Sequence, residues 1–146
     1  MEKDFIIGKP DNYEKLKRMA NNKVSWRNRL EAVEELGKWK CRQSVDVLFR
    51  RMMSDKVFKV QNAAFLKLQA FGENVKLPKK KKGNLVKNIN KKLGTIKRSL
   101  PEEHSYEEFK QEFKQKRSVE FDIYEGDKEE RFDKWLRNVW LNIPKE

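Results

Sequence analysis

Apolar residues recur every three or four positions along most of this chain, a spacing that predicts helices rather than strands. After Lys9-Pro10, Asp11 and Glu14 stand at capping-box spacing, and Tyr13, Leu16, Met19 and Ala20 form a stripe that ends at Asn21-Asn22. Ser25 is placed to cap a second helix, with Trp26, Leu30, Val33 and Leu36 in register and Trp39 at its limit. A third helix is predicted from Arg42 to Met53, with Val45, Leu48, Phe49, Met52 and Met53 inward, and Ser54-Asp55-Lys56 breaks it. A fourth runs from Val57 to Phe71, striped by Val60, Ala64, Phe65, Leu68 and Phe71, and stops before Gly72.

The second half continues the helical pattern. Asn84 to Leu100 reads as a helix with Leu85, Ile89, Leu93, Ile96 and Leu100 on one arc, stopped by Pro101. Ser105 and Glu108 make a capping box for a helix to about Lys116, with Tyr106, Phe109 and Phe113 on one side. The stretch "SVEFDIYEG" (118–126) alternates apolar and acidic residues, so it is expected to be an extended connector lying on the helices. Asp127 then caps a last helix striped by Phe132, Trp135, Leu136, Val139 and Trp140. Seven helices and no convincing sheet predict an all-α fold.

Two of these segments repeat. "RLEAVEELG" (29–37) aligns with "AFLKLQAFG" (64–72) at an offset of 35, matching Leu30 to Phe65, Val33 to Leu68, Leu36 to Phe71 and Gly37 to Gly72. With "WRNRLEAVEELGKW" and "SVDVLFRRMMSDKVFKVQNAAFLKLQAFG", which carry an inter-helix Asp and a Val-x-x-x-Ala spacing, residues 11–73 resemble HEAT-like repeats, the helical hairpins of α-solenoids. The resemblance implies a short α-α superhelix of two helical-hairpin repeats. Gln61 follows Val60 where the family often has Arg, so the usual Asp–Arg ladder between repeats lacks its arginine. Two repeats bury too little apolar surface alone, so further C-terminal helices are expected to cap them. The expected organisation is one domain, 1–146, made of repeats (11–73), a basic loop and helix (74–101) and capping helices (102–146).

Charge sharpens this picture. The 146 residues carry a net charge of +12, and it is unevenly placed. Residues 76–98 hold ten Lys or Arg and no Asp or Glu, whereas residues 99–146 hold 9 basic against 13 acidic residues. On a helical wheel Lys87, Lys91 and Arg98 fall within about 40° of one another, opposite the buried arc, with Lys92 and Lys97 flanking it. Lys79, Lys80, Lys81, Lys82, Lys87, Lys91 and Arg98 are therefore the predicted anion-binding residues. Arg27, Arg29, Arg50, Arg51 and Lys59 could enlarge the patch, while Glu34 with Lys38 and Asp46 with Arg50 are spaced to pair locally. A DNA or RNA backbone is the expected partner of a non-catalytic binding module. An acidic protein engaged by an adaptor is the alternative, and an enzyme related to HEAT-like DNA glycosylases the third reading.

Little in the chain points to catalysis. The glycosylases of that family use longer repeat series, and no catalytic Asp-plus-aromatic constellation can be matched here. His104 is the only histidine and Cys41 the only cysteine, too few for a usual zinc ligand set, and no Gly-rich phosphate loop is present. No metal or cofactor is expected. His104 is expected at the surface, and the acidic run from Glu120 to Glu130 is expected to solvate a turn and a helix start. The four Trp lie on predicted buried stripes, with a stacking platform beside the basic ridge as the functional alternative. With no apolar run of membrane length, no signal-peptide core and a lone cysteine, a cytoplasmic location is expected.

Overall fold

The computed structural model describes residues 5–80 and 83–144, and the fold is all-α apart from one two-residue strand pair. The chain divides into two compact units, Met1–Lys80 and Lys81–Glu146. Among the described residues no helix is long and apolar enough to cross a membrane.

The first unit contains α1 (Tyr13–Ala20), α2 (Trp26–Leu36), α3 (Arg42–Ser54) and α4 (Phe58–Ala70). Helix α1 packs on α2, α3 on α4, and α2 on α4. Strands β1 (Ile6–Ile7) and β2 (Trp39–Lys40) pair in parallel, placing Ile6 opposite Trp39, so Trp39 belongs to a strand rather than to α2. Ser25 caps α2 as expected, its hydroxyl accepting from the Asn28 amide. The predicted Asp11–Glu14 box does not form; the N-cap is Asn12, without a side-chain cap. Cys41 caps α3, its Sγ accepting from the Ser44 amide at 3.4 Å.

Helix α3 is rotated from the predicted orientation. Its buried residues are Ser44, Val47, Leu48 and Met52, whereas Phe49 and Met53 are each 48% exposed. Apolar residues cover more than one side of α3, so periodicity alone could not choose the buried one. Helix α2 holds a larger surprise: Arg29 is buried beside Ala32 and Val33, while Leu30 is only half-buried.

Arg29 is buried because Asp55 meets it. Its Nε and Nη2 donate to the two Asp55 carboxylate oxygens at 2.9 and 3.3 Å, and its Nη1 donates to the Asn22 carbonyl at 2.7 Å. Arg51 adds a third donor to Asp55 at 3.3 Å, and Asp55 also accepts from the Val57 amide at 2.9 Å. An Asp–Arg link thus joins the α1–α2 hairpin to the α3–α4 hairpin despite Gln61, because Arg29 of α2 provides the guanidinium. Gln61 instead donates to the Met52 carbonyl at 2.9 Å. Burial holds the Arg51 guanidinium below its usual range, against the opposing pull of Asp55.

The second unit contains α5 (Ile89–Ser99), α6 (Tyr106–Lys116), α7 (Ser118–Lys128), a 3-10 turn (Glu129–Arg131) and α8 (Phe132–Asn142). Ile89, Leu93 and Ile96 share one core with Phe109, Phe113, Phe121, Tyr124 and Leu136. Helix α5 starts five residues later than predicted because Asn88 adopts φ 61°, a left-handed conformation that Asn tolerates and that cannot continue a helix upstream. The Ser105–Glu108 capping box forms as expected.

The acidic stretch 118–126 is helix, not an extended connector. Phe121, Asp122, Ile123 and Tyr124 are all buried, so α7 is enclosed on most sides and its sequence lacks a one-faced helical stripe. Asp127 therefore lies inside α7 rather than capping the last helix; the break comes at Glu129 with φ 50°, and α8 begins after Arg131.

Tyr106 and Lys110 both donate to Asp133 of α8, at 2.6 and 2.8 Å. The Lys110 and then the Tyr106 hydrogen bond hold the Asp133 carboxyl below the usual carboxylate range, while burial and then Asp133 raise the Tyr106 phenol. A lowered Asp133 stabilises the fold above the unfolded carboxylate value of about 4 and loses that contribution as pH falls through its folded value. A raised Tyr106 contributes fully below about pH 10 and loses it as pH rises further. Thermal midpoints measured from pH 2 to 6 should fall less steeply in Asp133→Asn than in the parent; identical acid limbs would refute the assignment.

Candidate anion-binding site

The apolar arc of α5 is docked as its sequence requires: Ile89, Leu93 and Ile96 are buried, and Leu85 and Leu100 pack against the same cluster. This burial turns the remaining side chains of α5 outward. Lys91 and Arg98 are exposed on the helix, one row apart by seven residues. Lys87 is exposed too, but it precedes Asn88 and so does not share the helical wheel on which it was predicted. Among the described residues, no carboxylate oxygen lies within 4 Å of Lys87, Lys91 or Arg98.

The flanking lysines behave differently. Lys92 pairs with Glu120 of α7 at 3.4 Å. Lys97 donates to the carbonyls of Trp140 and Ile143, the latter at 2.9 Å, and so satisfies the C-terminal end of α8. These two cations serve the fold, which leaves the others to solvent.

The rest of the predicted set is divided. Lys79 and Lys80 are exposed in the irregular segment that ends the first unit, with the Lys80 ammonium 5.8 Å from the Phe58 ring centre. Lys81 and Lys82 lie outside the described residues. Arg29 and Arg51 do not enlarge a surface patch, since both are directed to Asp55. Arg27 and Lys59 lie over Trp26 at 4.6 and 5.7 Å. Glu34 pairs with Lys67 at 3.1 Å, and Lys38 with Glu35 at 2.9 Å, so the expected Glu34–Lys38 pair is replaced.

Lys91 and Arg98 border a groove between α5 and α8, with a volume of about 540 Å³. Its walls combine Trp135 and Val139 with three carboxamides, Asn90, Asn138 and Asn142, and among the described residues no carboxylate lines it. Gly94 forms its floor on the α5 side; a Cβ there would come 3.1 Å from the Arg98 guanidinium, which folds back over this position. Trp135 is held flat against Tyr124, ring centres 4.6 Å apart and planes 5° apart, which fixes that wall.

Sequence reasoning found Lys91 and Arg98 but not the carboxamides. Trp135, Asn138, Val139 and Asn142 are at i, i+3, i+4 and i+7, one face of α8. The spacing is therefore visible in the sequence, but uncharged polar residues beside an apolar stripe carry no charge signal that marks them as a ligand surface.

His104 is tied into the fold more firmly than a surface residue would be. Its Nδ1 meets the Pro101 carbonyl at 2.6 Å, and its Nε2 accepts from the Trp140 indole N–H at 2.9 Å. Among the described residues, no group of three or more His, Cys, Asp or Glu is placed to hold a metal ion. No protein-family model matches this chain, and no curated protein or solved structure matches it either.

Proposed function

We propose that this chain is a non-catalytic helical-repeat module that binds the phosphate backbone of a nucleic acid, with Lys79, Lys80, Lys81, Lys82, Lys87, Lys91 and Arg98 as its anion contacts. The observation that carries this reading is the division of labour on α5. Burial of Ile89, Leu93 and Ile96 fixes the helix, Lys92 is paired, and Lys91 and Arg98 remain exposed with no carboxylate within 4 Å among the described residues. Fixed cations without counter-charges suit phosphates, whose condensed counterions are released on contact. The hairpin pairing α1–α2 and α3–α4, with α2 stacked on α4, supports the HEAT-like reading of the first unit. A cytoplasmic setting fits this function. Titration of labelled oligonucleotides by fluorescence anisotropy at 50 and 200 mM salt tests it; no binding at the lower salt would end it.

A second reading rests on α3, where Val45, Phe49 and Met53 follow one another at four-residue spacing and the last two are 48% exposed. Such a stripe suits a partner helix and an adaptor role. Pull-down of partners that survives nuclease treatment, and is lost in Phe49→Ser with Met53→Ser, would favour it.

A further inference from the structure

We infer that the groove between α5 and α8 seats an unpaired base, so that the second unit prefers single-stranded nucleic acid to duplex. This rests on the phosphate-binding reading above and specifies which form of nucleic acid it serves. Backbone contacts need only cations, yet the groove bordered by Lys91 and Arg98 contains chemistry that phosphates do not use. Asn90, Asn138 and Asn142 present carboxamides, and Trp135 and Val139 present apolar walls. A nucleobase has matching parts: an apolar face and an edge of donors and acceptors. Its volume of about 540 Å³ falls within the range of about 300–1,000 Å³ taken by small-molecule sites.

The hydrogen-bonding capacity is available. A carboxamide offers two N–H donors and one oxygen acceptor. Asn142 uses one N–H on the Asn138 carbonyl, at 2.8 Å, which leaves its other N–H and its oxygen for a ligand. Lys91 and Arg98 are seven residues apart on α5, about 10 Å of helical rise, the reach of about three stacked nucleotides. A strand running along α5 could place phosphates at both cations and direct an intervening base towards α8. In a duplex that base is stacked and paired, so its edge and face cannot enter.

The test uses the full chain and fluorescein-labelled 12-mers of single-stranded DNA, single-stranded RNA and duplex DNA at one salt concentration. The expected result is about tenfold tighter binding of the single strands than of the duplex. Asn138→Leu with Asn142→Leu changes no charge and alters only exposed positions, so it should fold normally. It should erase most of the single-strand preference, leaving duplex affinity and salt dependence as they were. Equal affinity for both forms, or an unchanged preference in the Asn variant, overturns the inference while leaving backbone binding intact. Failure of every oligonucleotide to bind at low salt overturns both. Competition by AMP at micromolar concentration would also overturn it, by making a free nucleotide the ligand.

Discussion

Asp55→Ala should destabilise the first unit by about 3–5 kcal/mol, the range seen when one partner of a buried ion pair is removed. The Asp55 side chain is fully enclosed and Arg29 is 5% exposed, so the substitution strands a guanidinium that water cannot reach. Arg51, 15% exposed, loses its carboxylate in the same step, and the Val57 amide at the start of α4 loses its acceptor. Urea denaturation followed by circular dichroism should show a midpoint lowered by about 2 M, at a slope near 2 kcal/mol per M. Replacing both partners by apolar residues, Arg29→Met with Asp55→Leu, should recover part of that loss, because the most deeply buried guanidinium is then gone and only Arg51 is left without its carboxylate. A shift below about 0.5 kcal/mol in Asp55→Ala, the scale of an ordinary surface change, would show that the cluster does not hold the hairpins together.

Arg29 also shows where the sequence was legible and where it was not. Stripes backed by one-sided burial were readable: Tyr13, Leu16 and Ala20 in α1, Tyr106, Phe109 and Phe113 in α6, and Ile89, Leu93 and Ile96 in α5 are all buried. Caps with two reciprocal hydrogen bonds, as at Ser105 and Glu108, were readable for the same local reason. Burial that depends on a partner far along the chain was not. Arg29 reads as a surface cation until Asp55, 26 residues on, is brought to it. Helix α7 failed differently, because a helix enclosed on most sides has no polar face to mark its period. The candidate site follows the same rule: its cations were visible in α5, but the groove exists only where α8 packs alongside.

Lys91→Glu with Arg98→Glu should weaken oligonucleotide binding about a hundredfold at 50 mM salt and only about tenfold at 200 mM. Each phosphate contact contributes about −0.7 to −0.9 to the slope of log affinity against log salt, depending on strand form. Extrapolated from 1 M to 50 mM, one contact is therefore worth about tenfold, and two about a hundredfold. Losing both should make the slope shallower by about 1.5, which a structural defect would not do. Both side chains are exposed, and Ile89, Leu93 and Ile96 keep α5 docked, so the variant should unfold with the parent. Lys92→Ala supplies the internal control. It removes a cation of the same helix that already faces Glu120 at 3.4 Å, so affinity should change by about twofold at most. If Lys92→Ala weakened binding as much as the double reversal, affinity would be following total charge rather than the ordered face of α5, and Lys91 and Arg98 would lose their assigned role.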